Sequence, residues 1–398
     1  MITYTEKNRE TAKLMVVGVG GGGNNAVNQM IKKGVDTVTF VSVNTDNQAL
    51  QQSRTPIENR IQIGKAKTEG LGAGSDPEIG KMAAEESIEE IKEALQGMHL
   101  VFIVCGMGGG TGTGASPIIA KVAKELGALV VGVVTTPFDF EGAKRQANSK
   151  KGIEQLSKHV DSMIIIPNNK LITEVAKDKN LTIMEAFEIA DDVLRQGITG
   201  LSDLIVKPGL INLDFADIKA VLKNQGLAHM GIGSAKGENK IYEAVYQAVR
   251  SPLLETCIDG AKGLILNVCG GTDLSLIEVS EATNIVKEVL DKEANIIFGA
   301  NIDDKMSDEV HVTLIATGFK SAQERAANQE IPSPIFTSKE PIVEKTPTPI
   351  VEIIQEENVK EDEKVVEVSP KEVVTEEPKK EEKAMPDFLK MIFGRKKK

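Results

Sequence analysis

The chain has 398 residues, of which 41 % are hydrophobic and 26 % are charged, a composition typical of a globular protein. Its formal net charge of −11 argues against binding to nucleic acid, and no apolar run is long enough to span a membrane. The polar beginning of the sequence does not resemble a signal peptide, so we expect a cytoplasmic protein without a direct membrane span.

Short apolar strands alternate with helical segments from residue 13 to about residue 205. Continuous apolar strands separated by helices predict a parallel sheet covered on both faces, which is a Rossmann-like α/β domain. The predicted strands are 13–19, 37–43, 99–105, 128–135 and 163–166. The predicted helices are 24–33, 76–95 and 116–126.

A long amphipathic helix is predicted over 183–205, and the pattern changes after Pro208. Beyond that point shorter strands and helices predict a second, smaller α+β domain that ends near Gly318. Its predicted strands are 227–233, 263–268 and 310–317, and its predicted helices are 215–222, 239–250 and 278–291.

The sequence after about Ser321 loses its hydrophobic periodicity. Between Lys339 and Lys383 it contains fourteen acidic residues, eight lysines and five prolines, a composition that predicts a disordered acidic linker. The last residues, 385–398, combine an apolar patch with a basic end. They are either a frayed terminus or a short peptide that docks on a partner, and the apolar-basic composition favours the peptide.

A first glycine-rich run, Gly18-Val19-Gly20-Gly21-Gly22-Gly23, lies between a predicted strand and a predicted helix. It matches the G-x-G-x-x-G pattern, in which glycines let the backbone approach a phosphate at a helix N-terminus. Asp46 follows the next strand, where a ribose-binding acid would lie in a dinucleotide-binding fold. This motif alone would suggest an NAD-dependent oxidoreductase.

A second run, Gly108–Gly114, has the sequence Gly-Gly-Gly-Thr-Gly-Thr-Gly and again follows a buried strand. Five glycines in seven residues cost conformational entropy, and a close wrap around phosphate oxygens explains that cost. A dehydrogenase needs no second loop of this kind. A P-loop would need Gly-Lys-Ser or Gly-Lys-Thr, and the sequence contains neither. The run therefore indicates a polyphosphate site of a third kind.

This run resembles the signature of the tubulin/FtsZ GTPases, and the other landmarks resemble the FtsZ branch of that family. The resemblance covers about residues 11–318, and the tail also fits it. The further landmarks are Gly20–Asn25, Asn44-Thr45-Asp46, Gly70-Leu71-Gly72-Ala73-Gly74, Pro137-Phe138-Asp139-Phe140-Glu141-Gly142, Ile166-Pro167-Asn168 and Asn212-Leu213-Asp214-Phe215-Ala216-Asp217.

The resemblance implies a GTP/GDP site with Mg²⁺ held through the phosphates and no protein metal ligand expected. It places guanine on the ring of Phe187 and against the carboxylate of Asp191, which suits the two adjacent donors of guanine, a pair that adenine lacks. The implied nucleotide-binding residues are Gly21, Gly22, Gly23, Asn24, Asn25, Ala73, Gly108, Gly109, Gly110, Thr111, Gly112, Glu141, Arg145, Asn168, Phe187 and Asp191.

The resemblance also implies that Asn212, Asp214 and Asp217 are catalytic. Read from the residues alone, Asn or Asp before a helix is usually a cap, although Asp214 and Asp217 lie three apart and share a face. In the family these residues reach the γ-phosphate of the neighbouring subunit in a head-to-tail filament. Hydrolysis would then require assembly.

The implied organisation is a flexible N-terminus (1–10), a GTP-binding domain (11–182), a central helix (183–207), an α+β domain (208–318), a disordered linker (319–384) and a partner-binding peptide (385–398). By resemblance the peptide binds membrane-tethering and regulatory division proteins, and the filament forms the division ring at mid-cell. Direct membrane contact through the basic terminal residues is a minor alternative.

Two other functions are left open. An NAD-dependent oxidoreductase would use Gly18–Gly23 but leaves Gly108–Gly114 unexplained. A scaffold that binds nucleotide without turnover would differ only in making no use of the two aspartates.

The chain also departs from the commoner family form, which has an acid where Asn169 stands, and the role of Asn169 is an open question.

Overall fold

The computed structural model describes residues 12–319, apart from 172–180, 208, 210, 212, 252–257, 259, 292, 304–305 and 307. The predicted flexible N-terminus, the terminal peptide and all but the first residue of the predicted linker lie outside the described residues, and so does Asn212.

Eight of the ten strands of the described residues lie in predicted apolar runs, whereas the strands at 60–62 and 295–302 were not predicted. The ten strands are β1 (Leu14–Val19), β2 (Thr39–Asn44), β3 (Arg60–Gln62), β4 (Leu100–Gly106), β5 (Leu129–Thr136), β6 (Ser162–Pro167), β7 (Gly226–Lys236), β8 (Gly263–Gly270), β9 (Asn295–Ile302) and β10 (Glu309–Thr317).

The α-helices of the same residues lie between these strands. They are α1 (Gly20–Lys32), α2 (Asn47–Gln51), α3 (Lys65–Thr68), α4 (Pro77–Glu86), α5 (Ile88–Leu95), α6 (Thr111–Glu125), α7 (Ala143–Leu156), α8 (Asn168–Lys170), α9 (Ile183–Val206), α10 (Phe215–Leu222), α11 (Lys240–Val249) and α12 (Leu276–Val289).

Among the described residues, ten strands form one sheet in the order β3-β2-β1-β4-β5-β6-β7-β10-β8-β9. From β3 to β7 all neighbouring strands are parallel, whereas β10 is antiparallel to both β7 and β8. The predicted Rossmann-like fold with a smaller carboxyl-terminal sheet domain is confirmed. The short parallel pairing of β6 with β7 makes the two parts one continuous sheet.

Side chains of β1 alternate between two hydrophobic clusters, as the period of a strand requires. Leu14 and Val16 belong to the cluster under α1 and α9, and Met15 and Val17 belong to the cluster under α4, α5 and α6. The sheet is therefore buried on both faces, which explains why its strands are almost wholly apolar.

Helices α1 and α6 begin earlier than the sequence predicts. The predicted starts were Asn24 and Ser116, but the helices begin at Gly20 and Thr111, so the glycine runs form their first turns. The predicted helix 76–95 is two helices, because Ser87 interrupts it with its hydroxyl accepting from the N–H of Gly64 at 3.1 Å.

Helix α9 runs from the carboxyl edge of the sheet, where its parallel strands end, to the opposite edge, where they begin. Its first half lies beside the residues that follow β5, where Phe187 contacts Phe138. Its last half lies beside the amino end of β2, where the Ser202 hydroxyl is 2.9 Å from that of Thr37. Its 24 residues span about 36 Å at about 1.5 Å per residue.

Candidate functional site

The two glycine runs lie side by side at the carboxyl edge of the sheet. Strands β1 and β4 are parallel neighbours, paired from Leu14–Leu100 to Val19–Cys105, so the segments after them start together. A Cβ on Gly20 would lie 2.8 Å from the amide nitrogen of Gly112. The N-termini of α1 and α6 thus converge, and both present unpaired N–H groups and the positive end of the helix dipole. Such an edge attracts phosphate groups.

Most glycines of these runs are required because backbone packs against backbone. A Cβ on Gly23 would collide with the carbonyl oxygen of Val104, and a Cβ on Gly110 would lie 2.8 Å from that of Ala73. Gly21 and Gly109 differ, because apart from the adjoining residues of the chain no described atom lies within 4 Å of the position that their Cβ would take. Open space therefore adjoins the backbone at these two glycines, where a phosphate could approach.

The two adjacent asparagines of α1 differ in exposure. Asn24 is 2 % exposed, donates to the carbonyl of Gly18 at 2.8 Å and accepts from Asn44 at 2.8 Å. Asn25 is exposed. The side chain of Asn24 therefore holds the first turn of α1 against β1 and β2, and Asn25 is the one available to a ligand.

The two threonines of the second run are engaged within the loops. The hydroxyl of Thr111 is 2.7 Å from that of Thr45, which joins α6 to the end of β2. Thr113 accepts from the N–H of Gly108 at 2.8 Å. Gly108 has φ of 105°, which glycine adopts without strain. These contacts fix the shape of the second glycine run.

Asp46 does not occupy the position of a free ribose-binding acid. Its carboxylate caps α2 by accepting from the N–H groups of Gln48 at 2.8 Å and Ala49 at 3.2 Å. This contact is a common N-cap arrangement. The observation weakens the oxidoreductase alternative, which needs that acid.

Glu141 and Arg145 form the ion pair that their spacing predicts. Glu141 also accepts from the N–H of Phe138 at 2.9 Å, and its side chain is only 11 % exposed, whereas that of Arg145 is 46 % exposed. Glu141 therefore shapes the turn and holds Arg145, whose charge is the part that faces solvent.

Three phenylalanines form a cluster beside this turn. Phe138 is buried and stacks on Phe140, with ring centres 5.2 Å apart, and it makes a T-shaped contact with Phe187, also with ring centres 5.2 Å apart. Phe187 is 41 % exposed, which differs from the core position that its helical spacing alone would suggest. Its free ring surface could accept a planar base.

Asp191 lies one turn after Phe187 on α9. Burial, with the neighbouring charges of Glu188 and Asp192, raises the pKa of Asp191 to about 7. A carboxylate in this situation is stabilised when a ligand supplies hydrogen-bond donors to it, which the ring N–H and amino groups of guanine would do.

Asn168 is buried beside the site and has an unsatisfied hydrogen-bond acceptor. It is 4 % exposed, and its Oδ1 has no hydrogen-bond partner among the described residues. An unsatisfied buried oxygen is costly, so a ligand hydroxyl or water there would be favoured. This is the type of position that a ribose hydroxyl would occupy.

Asp214 and Asp217 lie at the opposite edge of the sheet. Phe215, between them, contacts the ring of His99, with centres 6.1 Å apart, and His99 directly precedes β4. Both aspartates are exposed, and the carboxylate of Asp214 caps α10 by accepting from the N–H of Asp217 at 2.8 Å. From Phe187 to the end of α9 at Val206 there are nineteen residues, a rise of about 28 Å at about 1.5 Å per residue, so the two aspartates lie far from the Phe187 cluster.

Two features are absent from the described residues. None of their helices is long and apolar enough to cross a membrane. They also contain no group of three or more His, Cys, Asp or Glu side chains that could hold a metal ion.

Fold and site together define a nucleoside-phosphate-binding α/β protein with two glycine-rich helix starts. A family model of the tubulin/FtsZ GTPase domain matches residues 13–176, and one of the FtsZ carboxyl-terminal domain matches residues 226–320. An FtsZ dimer of M. jannaschii is 46 % identical, with a TM-score of 0.74, covering 78 % of this chain and 89 % of that one. The chain therefore belongs to the FtsZ family of tubulin-like GTPases, as its motifs predict.

A more distant likeness agrees in fold. CetZ2 of Haloferax volcanii, described as a GTPγS-bound protofilament, is 20 % identical with a TM-score of 0.67, and the match covers 79 % of this chain and 96 % of that one. At this identity the likeness shows the fold alone.

Several residues of the site were not singled out from the sequence. They are Thr45, which holds Thr111; Asn44, which holds Asn24; and Phe138, which supports Phe187. Each lies inside a recognised landmark or next to one, but its role depends on a contact between distant segments. No local periodicity reports such a contact.

Proposed function

We propose that the protein is an assembly-dependent GTPase that polymerises head to tail into filaments of the bacterial division ring. GTP would be bound at the carboxyl edge of the sheet and hydrolysed by Asp214 and Asp217, with Asn212, of the neighbouring subunit. The observation that carries the proposal is the position of the two aspartates at the opposite edge from the glycine runs. An active site divided in this way is complete only when two copies meet.

A contact between opposite ends of identical subunits is heterologous, and when its rotation does not close it produces a filament. The M. jannaschii relative is described as a dimer, which supports self-association. Filaments of this type grow without limit, which suits a cytoskeletal role. Docking of residues 385–398 on membrane-tethering and regulatory division proteins would bring the filament to mid-cell.

The nucleotide would be held by residues that have open space beside them or a charge, hydrogen-bonding atom or ring surface available to a ligand. Gly21 and Gly109 leave space for phosphates at the two helix N-termini, and Arg145 adds a positive charge. Asn168 would accept from the ribose, and Phe187 and Asp191 would hold guanine. Gly22, Gly23, Ala73, Gly108, Gly110, Thr111, Gly112, Asn24 and Glu141 would shape this cradle, and Asn25 remains exposed for contact.

Hydrolysis needs a water aligned with the bond to the γ-phosphate and stabilisation of the phosphate charge. The exposed carboxylates of Asp214 and Asp217 could orient and polarise that water. Mg²⁺, held by the phosphates, would offset their charge. Hydrolysis at the interface would then weaken the contact between subunits.

The first experiment tests dependence on assembly. GTPase activity per subunit should rise steeply with protein concentration, and light scattering should increase with GTP but not with GDP. A rate strictly proportional to protein concentration would contradict the proposal. A phosphate-release assay also separates it from the scaffold alternative, which predicts no turnover.

The second experiment tests division of the site between subunits. Asp214→Asn keeps the nucleotide edge, which is the carboxyl edge of the sheet, but loses a catalytic carboxylate. Asp191→Ala keeps the opposite edge with its two aspartates but loses guanine binding. Each variant should therefore be inactive alone. A mixture should regain activity, because one type of interface joins the two intact halves. Glu243→Gln, which removes an exposed carboxylate on α11, serves as control and should be fully active. Full activity of Asp214→Asn alone would refute the division.

A further inference from the structure

Two segments of the nucleotide edge are joined by a reciprocal pair of hydrogen bonds. The N–H of Asp139 donates to Oδ1 of Asn169 at 3.0 Å, and Nδ2 of Asn169 donates to Oδ1 of Asp139 at 2.7 Å. Asp139 belongs to the turn between β5 and α7, and Asn169 belongs to α8, directly after β6. The residues are 30 positions apart in the chain, so the contact is tertiary.

Both partners are next to residues of the proposed guanine site. The turn of Asp139 carries Phe138, which supports Phe187, and Glu141, which holds Arg145. Asn169 directly follows Asn168, whose Oδ1 is buried and has no partner among the described residues. The pair therefore ties together the segments that would bind the base, the phosphates and the ribose.

The chemistry of the pair requires one amide and one acid, or two amides. Oδ1 of Asn169 accepts from the backbone while its Nδ2 donates to the carboxylate, so both functions of the amide are used. An aspartate at 169 could still accept from the backbone, but it would set a second carboxylate against that of Asp139. Like charges at this distance repel, and one of them must take up a proton or move away.

We infer that Asn169 is a positioning residue for the guanine nucleotide, acting through its pairing with Asp139. The pair holds the turn of residues 137–142 and the start of α8 at the spacing that the ligand needs. The inference rests on the proposed function, since it assigns a role within the same nucleotide site. Asn169 itself need not touch the nucleotide.

The test compares three variants of the full chain in binding of a fluorescent GDP analogue and in GTP turnover. Asn169→Asp should raise the Kd and the KM by about tenfold, which corresponds to about 1.4 kcal/mol. At saturating GTP its kcat should match that of the wild type. Asp139→Asn should bind normally, because two amides can form both hydrogen bonds.

The exchange variant Asp139→Asn/Asn169→Asp is the decisive one. It reverses donor and acceptor between the side chains and keeps the bond from the backbone of residue 139, so it should restore wild-type affinity. An unfolding midpoint of Asn169→Asp equal to that of the wild type separates lost positioning from a general loss of fold. If Asn169→Asp does not fold, Asn169→Ala is measured in its place. The alanine variant should bind the GDP analogue more weakly and keep the wild-type kcat.

The outcomes separate this inference from the function on which it rests. Wild-type protein that binds no guanine nucleotide would overturn the proposed function. Wild-type protein that binds normally, with Asn169→Asp binding equally well, would overturn the positioning role alone. An exchange variant as weak as Asn169→Asp would also overturn it.

Discussion

Replacement of Asp191 by Asn should make the nucleotide-free protein more stable while weakening guanine binding. Burial, with the charges of Glu188 and Asp192, raises the pKa of Asp191 from 3.8 to about 7. A shift of about 3 units corresponds to about 4 kcal/mol, at about 1.4 kcal/mol per unit. This free energy is the cost of keeping an ionised carboxylate in the folded, unliganded site.

The sign of the effect fixes its pH dependence. The folded-state pKa is above the unfolded value, so folding loses stability as pH rises from about 3.8 to about 7, and the loss is constant at higher pH. Asparagine carries no charge and avoids this loss. The gain in the free energy of unfolding from Asp191→Asn should therefore be about 2 kcal/mol at pH 5 and about 4 kcal/mol at pH 8.

Denaturant unfolding of nucleotide-free protein at pH 5 and pH 8 measures this gain. Glu188→Gln is the matched control: it removes an exposed neighbouring charge and keeps Asp191, so its gain should be below about 1 kcal/mol. Titration with GTP should show weaker binding for Asp191→Asn, because the amide presents donors to a base that offers donors. Equal stability of wild type and Asp191→Asn at pH 8, or a gain that does not grow with pH, would refute the reasoning.

Three further outcomes are expected. Gly23→Ala should lower the free energy of unfolding by about 1–3 kcal/mol, because its Cβ collides with a carbonyl oxygen of β4. Gly21→Ala should unfold at the wild-type midpoint but bind GTP more weakly. Equal unfolding midpoints for the two variants would contradict this reasoning. Phe187→Leu should lower guanine affinity by about tenfold in a binding titration, since it removes a stacking surface of about 1–2 kcal/mol, and unchanged affinity would place the base elsewhere. Deletion of residues 385–398 should leave GTP-dependent light scattering intact and abolish pull-down of division proteins, so a loss of GTP binding would contradict the division of the chain.

Eight of the ten strands of the described residues were predictable, because each lies in a local apolar run. Strands β3, Arg60–Gln62, and β9, Asn295–Ile302, were missed. The helix predicted over 76–95 is interrupted at Ser87, where the serine hydroxyl accepts from a distant backbone amide. The starts of α1 and α6 were placed about four or five residues too late, because glycine is a poor helix former and its role in close packing is not visible locally.

The candidate site was only partly readable from the residues. The motifs identified the glycine runs and, through the family they resemble, predicted which residues surround a guanine nucleotide. They did not distinguish glycines that pack against backbone from those that leave space, nor the buried Asn24 from the exposed Asn25. These distinctions depend on which segments adjoin in the folded chain.

The run from Gly108 to Gly114 and the strand before it were sufficient, without any structure, to predict a phosphate loop in a parallel α/β fold. Both rest on local properties, namely glycine's lack of a side chain and the burial of apolar strands. Only the tertiary structure places that loop and the two aspartates, Asp214 and Asp217, at opposite ends of the sheet, and only it pairs Asn169 with Asp139. Those relations depend on how distant segments pack, which sequence spacing along the chain does not encode.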